Sequence, residues 1–178
     1  MRGRTSYAGR LALSALLTAL SLVILWGAAM APWGRMGLVA LAGLTPAAAV
    51  ISGGPTAGGL CWAGTGILAL LLLPDKGCGL LYLLFFGLYP LVKYAAEHLS
   101  RRPLELLVKL AFFNAALTVL WFGLRAVFLW GLPQAEGLGW LLYPVGNGIF
   151  LAYDYGFSRL IAFYIARVDR PLRRGRGA

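Results

Sequence analysis

Polar residues follow one face of each of two long apolar segments near the C-terminus. The first stripe consists of Asn114, Thr118, Trp121 and Arg125. The second consists of Tyr143, Asn147, Asp154 and Ser158. Steps of three and four residues keep each set on one face of a helix, with Leu151 filling the gap in the second. The two segments therefore present facing polar stripes if they pack as antiparallel neighbours.

These stripes can form a binding pocket or hold two helices together. A charge at the centre of a bilayer costs about 2.5–3.5 kcal/mol on insertion scales, so Asp154 needs a partner, water or a proton and should face the interior. The functional interpretation is a polar pocket that opens outward, with Arg125 as an anchor for an anionic solute. The alternative is hydrogen bonding that only holds the helices together. We favour this alternative for Asn114 and Asn147. For Asp154 and Arg125 we favour the functional interpretation.

Counting residues from the outer ends of the two segments gives the depth of each polar group. At about 1.5 Å per residue, Arg125 and Asn147 lie about 10 Å deep, and Asn114 and Asp154 about 22–25 Å deep. A direct salt bridge between Arg125 and Asp154 is not expected, because their depths differ by about 13 Å.

A charged connection precedes these segments. Lys93, Glu97 and Arg101 are spaced by four, as are Glu105 and Lys109, which is the spacing of ion pairs on an exposed helix surface. We interpret the connection as a solvated helical corner, with a coupling surface as the alternative. His98 is predicted to be solvated, and Cys61 and Cys78 to be packing residues. The fourth segment should kink at Pro90 near Gly87.

Motifs of catalysis are missing from the sequence. It has no Walker loop, HExxH, GxSxG or clustered Cys and His residues. We therefore predict a chain that is not an enzyme, with no catalytic residues, no metal and no cofactor.

The composition requires a membrane environment for the elements that carry these residues. Hydrophobic residues make up 60% of the 178 residues and charged residues 12%, with a mean hydropathy of +0.78. A soluble domain has about 45–50% apolar and about 25% charged residues. We predict an all-α protein, a polytopic membrane helix bundle in contact with lipid. The net charge of +10 then reports on membrane topology rather than on a nucleic acid partner.

Six segments are apolar and long enough to cross a bilayer, which needs about 20 residues. The predicted spans, in one transmembrane domain over residues 1–178, are 11–31, 36–51, 56–73, 79–96, 104–130 and 138–166, followed by a basic tail over 167–178. A four-span arrangement in which 37–73 forms a re-entrant hairpin stays open.

Basic residues predict the orientation. The N-terminus carries Arg2, Arg4 and Arg10, and the C-terminal tail carries Arg167, Arg170, Arg173, Arg174 and Arg176. Both ends are therefore expected in the cytoplasm, with Lys93 and Lys109 snorkelling towards the inner Arg101–Arg102 loop. Only Arg35 and Lys76 remain in the opposite loops. The predicted location is a cell membrane, crossed several times.

Small residues follow one face of the first span. They are Ala8, Ala12, Ala15 and Ala19. In lipid such a face lets the backbone of another helix approach closely. The other helix can belong to this bundle or to a different membrane subunit, and the spacing alone does not separate the two.

The first span resembles the first helix of substrate-binding S components of energy-coupling factor transporters. The resemblance is carried by residues 10–23, with an AxxxA-type motif at Ala15 and Ala19 extended by Ala8 and Ala12. Those components are small six-helix bundles, so the architecture agrees over the whole chain and the motif over the first helix. Residues 85–93 and 104–114 also look like a group of bacterial membrane proteins. The resemblance implies a transmembrane coupling subunit, two cytoplasmic ATPases and a small-molecule site near the outer face. It also implies a location in the bacterial inner membrane.

Two functions of different classes are consistent with these features. The first is a solute-binding subunit of a vitamin or micronutrient-like importer, with Arg125, Asn147, Asp154, Asn114, Tyr143 and Trp121 at the solute site. The second is a non-catalytic membrane scaffold that binds other membrane proteins. A lipid-modifying enzyme is the weakest hypothesis, because a catalytic set is missing.

Overall fold

A computed structural model describes residues 7–99, 102–123 and 139–169. Within these ranges 91% of residues are helical and strands are absent. The α-helices are α1 (Tyr7–Met30), α2 (Arg35–Ala42), α3 (Leu44–Gly53), α4 (Pro55–Leu72), α5 (Lys76–Leu81), α6 (Tyr89–Glu97), α7 (Arg102–Thr118) and α8 (Gly139–Tyr164). Short π-helical segments lie at Tyr82–Phe86, Val119–Gly123 and Ile165–Asp169.

Six helical stretches in the described ranges are long and apolar enough to cross a membrane. They are Ala8–Met30, Arg35–Gly53, Pro55–Leu72, Lys76–Glu97, Arg102–Trp121 and Tyr143–Arg167. We number them as the first to sixth spans. The prediction of six apolar helices at these places is confirmed. The in/out orientation and the choice between full spans and a re-entrant hairpin at 37–73 stay predictions.

The second span is interrupted at Gly43, between α2 and α3. Pro46 lacks an N–H group, so the carbonyl of Ala42 loses the donor that a continuous helix would offer it. Two side chains replace that donor: Thr45 Oγ1 donates to the Ala42 carbonyl at 2.9 Å and Ser21 Oγ at 3.3 Å. Hydroxyls thus satisfy the interrupted backbone in a part of the bundle where bulk water does not reach it.

The fourth span is also irregular, and Pro90 explains where. A π-helical segment, Tyr82–Phe86, and a turn at residues 87–88 come directly before α6, in which Pro90 is the second residue. The amide of Gly87 donates to the carbonyl of Tyr82 at 2.7 Å, a π-type bond. The kink that the sequence predicts at Pro90 stays a prediction, and the structure shows a change of helix type just before this residue.

Small residues hold the N-terminal half together. A Cβ atom on Gly58 would clash with Cγ2 of Val50, so α3 and α4 touch through a position that only glycine fits. Ser14 on α1 donates to the Ala57 carbonyl on α4 at 3.0 Å. Close helix approach through small residues is the usual way that membrane helices pack.

Aromatic rings fill the C-terminal half. Their centroids lie between 4.7 and 6.2 Å apart at the junction of the fourth, fifth and sixth spans. The rings belong to Phe85, Tyr89, Phe112, Phe113, Phe150, Tyr153 and Phe157. This cluster positions the polar groups at either end of it, which form the candidate site.

The start of α1 and the end of α8 lie at the same end of the bundle. The Tyr164 hydroxyl, near the end of α8, lies 3.2 Å from Ser52 Oγ at the end of the second span. The neighbouring Gly53 faces the stem of Arg10 at the start of α1, with 3.8 Å between its ideal Cβ and Arg10 Cγ. The opposite end carries an exposed ion pair between Arg35 and Asp75, 2.7 Å apart.

Candidate functional site

A buried ionic network centred on Asp154 joins the fourth, fifth and sixth spans. Asp154 Oδ1 accepts from Lys93 Nζ at 2.6 Å and from the Tyr89 hydroxyl at 2.5 Å. Its other oxygen, Oδ2, lies 3.4 Å from Lys109 Nζ. Lys93 and Lys109 are only 3% and 4% exposed. Asp154 therefore has the interior partners that its position in a span requires.

Helical periodicity brings these groups together. Tyr89 and Lys93 lie one turn apart on α6, and Asp154 and Ser158 lie one turn apart on α8. Lys93 Nζ also donates to Ser158 Oγ at 2.9 Å. Each of these two helices thus presents its polar residues at i and i+4, on the face that meets its neighbours.

Two further carboxylates link this core to the end of the bundle. Glu97 lies 3.0 Å from Lys93 Nζ and 3.8 Å from Lys109 Nζ, and Glu105 lies 2.5 Å from Lys109 Nζ. The side chain of Glu97 is 49% exposed, whereas those of the two lysines are 4% and 5% exposed. A chain of opposite charges therefore connects the exposed Glu97 through the buried lysines to the partly buried Asp154.

This network differs from the solvated corner and snorkelling lysines that the sequence predicts. The i,i+4 pairs Lys93–Glu97 and Glu105–Lys109 are present. Both lysines, however, turn inward, because Asp154 offers them a partly buried counter-charge. The predicted site does not include Tyr89, Lys93 and Lys109. The sequence did contain a signal for the two lysines, because both lie inside predicted spans and a third span contains the acidic residue Asp154.

A ladder of polar pairs continues along the fifth and sixth spans. Asn114 and Asn147 exchange amide hydrogen bonds of 3.0 and 3.2 Å. One turn along each helix, Thr118 Oγ1 and the Tyr143 hydroxyl lie 3.0 Å apart. The predicted facing stripes are therefore in contact, and their members hydrogen-bond one another.

The depth count from the sequence is wrong by about two turns for Asn114. It placed Asn114 level with Asp154 and placed Arg125 level with Asn147, whereas Asn114 faces Asn147. The ends of an apolar segment are not sharply defined in the sequence. Counting residues from those ends therefore does not give the register of two packed helices, which the pairing of their side chains shows. Arg125 lies outside the described residues. Trp121 is half-buried in the π-helical segment Val119–Gly123.

The alanine face of the first span is exposed. Ala8, Ala12, Ala15 and Ala19 are exposed to the surroundings of the bundle. Ser14 and Ser21, on the opposite side of α1, are buried against the neighbouring helices. Of the two explanations for the alanines, packing within this bundle is thus wrong for the described residues, and the face is open to lipid or to another protein.

Neither cysteine forms a disulfide. Cys61 and Cys78 are both buried and free. Within the described ranges, no three His, Cys, Asp or Glu side chains are grouped so that they could hold a metal ion.

Known proteins offer no match to this chain. No family model matches it, and no curated protein or solved structure matches it significantly. The similarity to energy-coupling factor S components stays a prediction from residues 10–23. A function for this site therefore has to be inferred from the geometry of the site itself.

Proposed function

We propose that this chain is a solute-binding membrane subunit of a small-molecule importer, energised by partner ATPases. In this proposal the first span docks onto a transmembrane coupling subunit. The interface between the fifth and sixth spans provides the solute site.

The exposure of the alanine face is the observation that carries the proposal. Four alanines on one side of α1 leave a shallow strip between larger exposed residues, Leu11 and Leu16. A strip of this kind allows a second helix to approach closely enough for backbone contacts. Since the described part of the bundle does not use this strip, a separate membrane subunit is the partner that fits it.

The polar ladder supports a solute site in the same bundle. Asn114, Asn147, Thr118 and Tyr143 supply amide and hydroxyl groups that both donate and accept hydrogen bonds. A polar solute would exchange its own hydrogen bonds for those that close the ladder. Asp154 and, in the proposal, Arg125 would add charge recognition.

A non-catalytic scaffold is the second candidate function. The reciprocal bond between Asn114 and Asn147 and the stacked rings of Phe113 and Phe150, 4.7 Å apart, favour it. These contacts hold the fifth and sixth spans together without a solute. A scaffold would use the same alanine face but would carry no small molecule.

Replacing Ala15 and Ala19 together with leucine tests the docking face. We expect copurification of a transmembrane partner to be lost by at least about tenfold, because bulky side chains separate the helix backbones. The melting temperature of the purified chain should stay unchanged, since both alanines are exposed. Leu20→Phe, an exposed position on another side of the helix, is the matched control and should retain the partner. Equal recovery from both variants would contradict docking at this face.

Retention of a small molecule separates the importer from the scaffold. The full chain is purified and extracted, and the extract is analysed by mass spectrometry. We expect a polar molecule from the unchanged chain and its loss from the double variant Asn114→Leu/Asn147→Leu, which replaces the amide pair with an apolar pair. Val145→Leu, an exposed site on the same helix, is the control. A protein partner recovered without any small molecule would favour the scaffold.

A further inference from the structure

The interruption of the second span lies beside a group of buried hydroxyls that the proposed function does not use. Ser21 on α1 and Thr45 on α3 both donate to the freed carbonyl of Ala42. Thr65 on α4 and Tyr82 in the fourth span complete the group, and both are 0% exposed. Four spans therefore direct one hydroxyl each towards the middle of the N-terminal half.

Two of these hydroxyls have no hydrogen-bond partner in the described part of the chain. The Tyr82 hydroxyl lies near the side chains of Ser21, Thr45 and Thr65. None of the described residues meets the geometry of a hydrogen bond with it. Thr65 Oγ1 is likewise buried and without a partner. A buried hydroxyl that lacks a partner costs about 1–3 kcal/mol, and two such groups that lie near one another indicate a shared ligand.

The ring of Tyr82 has little freedom to move its hydroxyl elsewhere. A Cβ atom on Gly87 would lie 2.7 Å from both Cε1 and Cζ of this ring, so the ring rests directly on the backbone of Gly87. The buried hydroxyl is thus held in place, and its partner has to come to it.

We propose that one ordered water molecule binds between Thr65 and Tyr82, within reach of Ser21 and Thr45. A buried water makes about three hydrogen bonds to polar groups that would otherwise lack partners. It accepts from the hydroxyls of Tyr82 and Thr65. Its own two protons go to the oxygens of Ser21 and Thr45, whose protons are committed to the Ala42 carbonyl.

Water fits this site better than a cation does. The hydroxyl and carbonyl groups around it are neutral, so a buried cation would lack a counter-charge, which is very costly in a low-dielectric interior. A cation would also leave the protons of Thr65 and Tyr82 without acceptors. The bound water links the interrupted second span to the third and fourth spans through hydrogen bonds.

Removing one hydroxyl at a time tests the proposal, because the proposal predicts whether the melting temperature falls or rises. Tyr82→Phe and Thr65→Val should each lower the melting temperature in detergent by about 2–4 °C, because each removes a hydrogen bond to the water. The double variant should lose less than the sum, since both residues bind the same molecule. A truly unpaired hydroxyl would give the opposite result, because its removal relieves a desolvation cost.

Tyr153→Phe is the matched control. The Tyr153 hydroxyl is also buried and has no hydrogen-bond partner among the described residues, but it lies in the aromatic cluster and not in the group of Ser21, Thr45, Thr65 and Tyr82. Its removal should leave the melting temperature unchanged or raise it. A rise for Tyr82→Phe of the same size as for Tyr153→Phe would overturn the proposal.

An experimental density map at about 2 Å resolution provides a readout that does not depend on the variants folding. Spherical density within hydrogen-bonding distance of Thr65 Oγ1 and the Tyr82 hydroxyl would support the water. A direct bond between the two hydroxyls, or a gap that contains no density, would overturn it.

Discussion

Replacing Asp154 with alanine is expected to destabilise the protein by about 3–5 kcal/mol, the usual cost of removing one member of a buried ion pair. The reason is the pair of lysines that it leaves behind. Lys93 loses its closest carboxylate, at 2.6 Å, and Lys109 loses one at 3.4 Å. The melting temperature in detergent should fall by at least about 6 °C.

Glu97→Ala is the matched control for Asp154→Ala. It also removes a carboxylate that lies 3.0 Å from Lys93 Nζ, but the side chain of Glu97 is 49% exposed. Water replaces an exposed carboxylate, so the cost should stay below about 1 kcal/mol. Equal losses from the two variants would show that burial does not govern the strength of this network.

A double variant separates the buried charge from the loss of packing. Adding Lys93→Met to Asp154→Ala removes the ammonium group that the first substitution leaves without its nearest counter-charge. The double variant should therefore melt at a higher temperature than Asp154→Ala alone. A further decrease would mean that Lys93 finds enough compensation in Glu97 and Ser158.

The spans could be predicted well from the sequence because hydropathy measures what a span needs. A helix that crosses lipid must be apolar along about 20 residues, and that property is a sum over neighbours in the chain. The second span shows what a sum of hydropathy values does not predict, namely an interruption inside a span. Its length and composition are those of a crossing helix, yet it is interrupted at Gly43 ahead of Pro46, and the repair depends on Ser21 from another helix.

The partners within the site could not be predicted in the same way. Pairing depends on how far each helix slides and rotates against its neighbours, which hydropathy does not encode. Asn114 faces Asn147 because the aromatic rings between the spans fix their register. The inward turn of Lys93 likewise depends on Asp154, 61 residues away in the chain.

The alanine face shows the converse case, in which spacing identified a surface but not its use. Ala15 and Ala19 follow the small-xxx-small spacing whether the second helix is internal or external. The alanines point outward because the other side of α1, which includes Ser14 and Ser21, packs against this bundle. Helical spacing therefore determines which residues share the face, and tertiary packing determines the direction in which it points.

Gly43→Ala is expected to destabilise the protein by about 1–3 kcal/mol, the range of overpacking a tight core. A Cβ atom at this position would lie 2.5 Å from the carbonyl oxygen of Phe86 in the fourth span. That contact is with backbone, which cannot rotate away as a side chain can. The loss is expected as a lower melting temperature in detergent.

Gly27→Ala separates this steric effect from the general effect of alanine in a helix. Alanine forms helices more readily than glycine by about 0.8–1.0 kcal/mol, so it favours stability at both sites if space allows. Gly27 is exposed on α1, and its Cβ atom would meet no atom within 4 Å. Gly27→Ala should leave the melting temperature unchanged or raise it, while Gly43→Ala lowers it. Opposite signs would show that the interrupted second span and the fourth span touch through their backbones at Gly43; equal effects would contradict that contact.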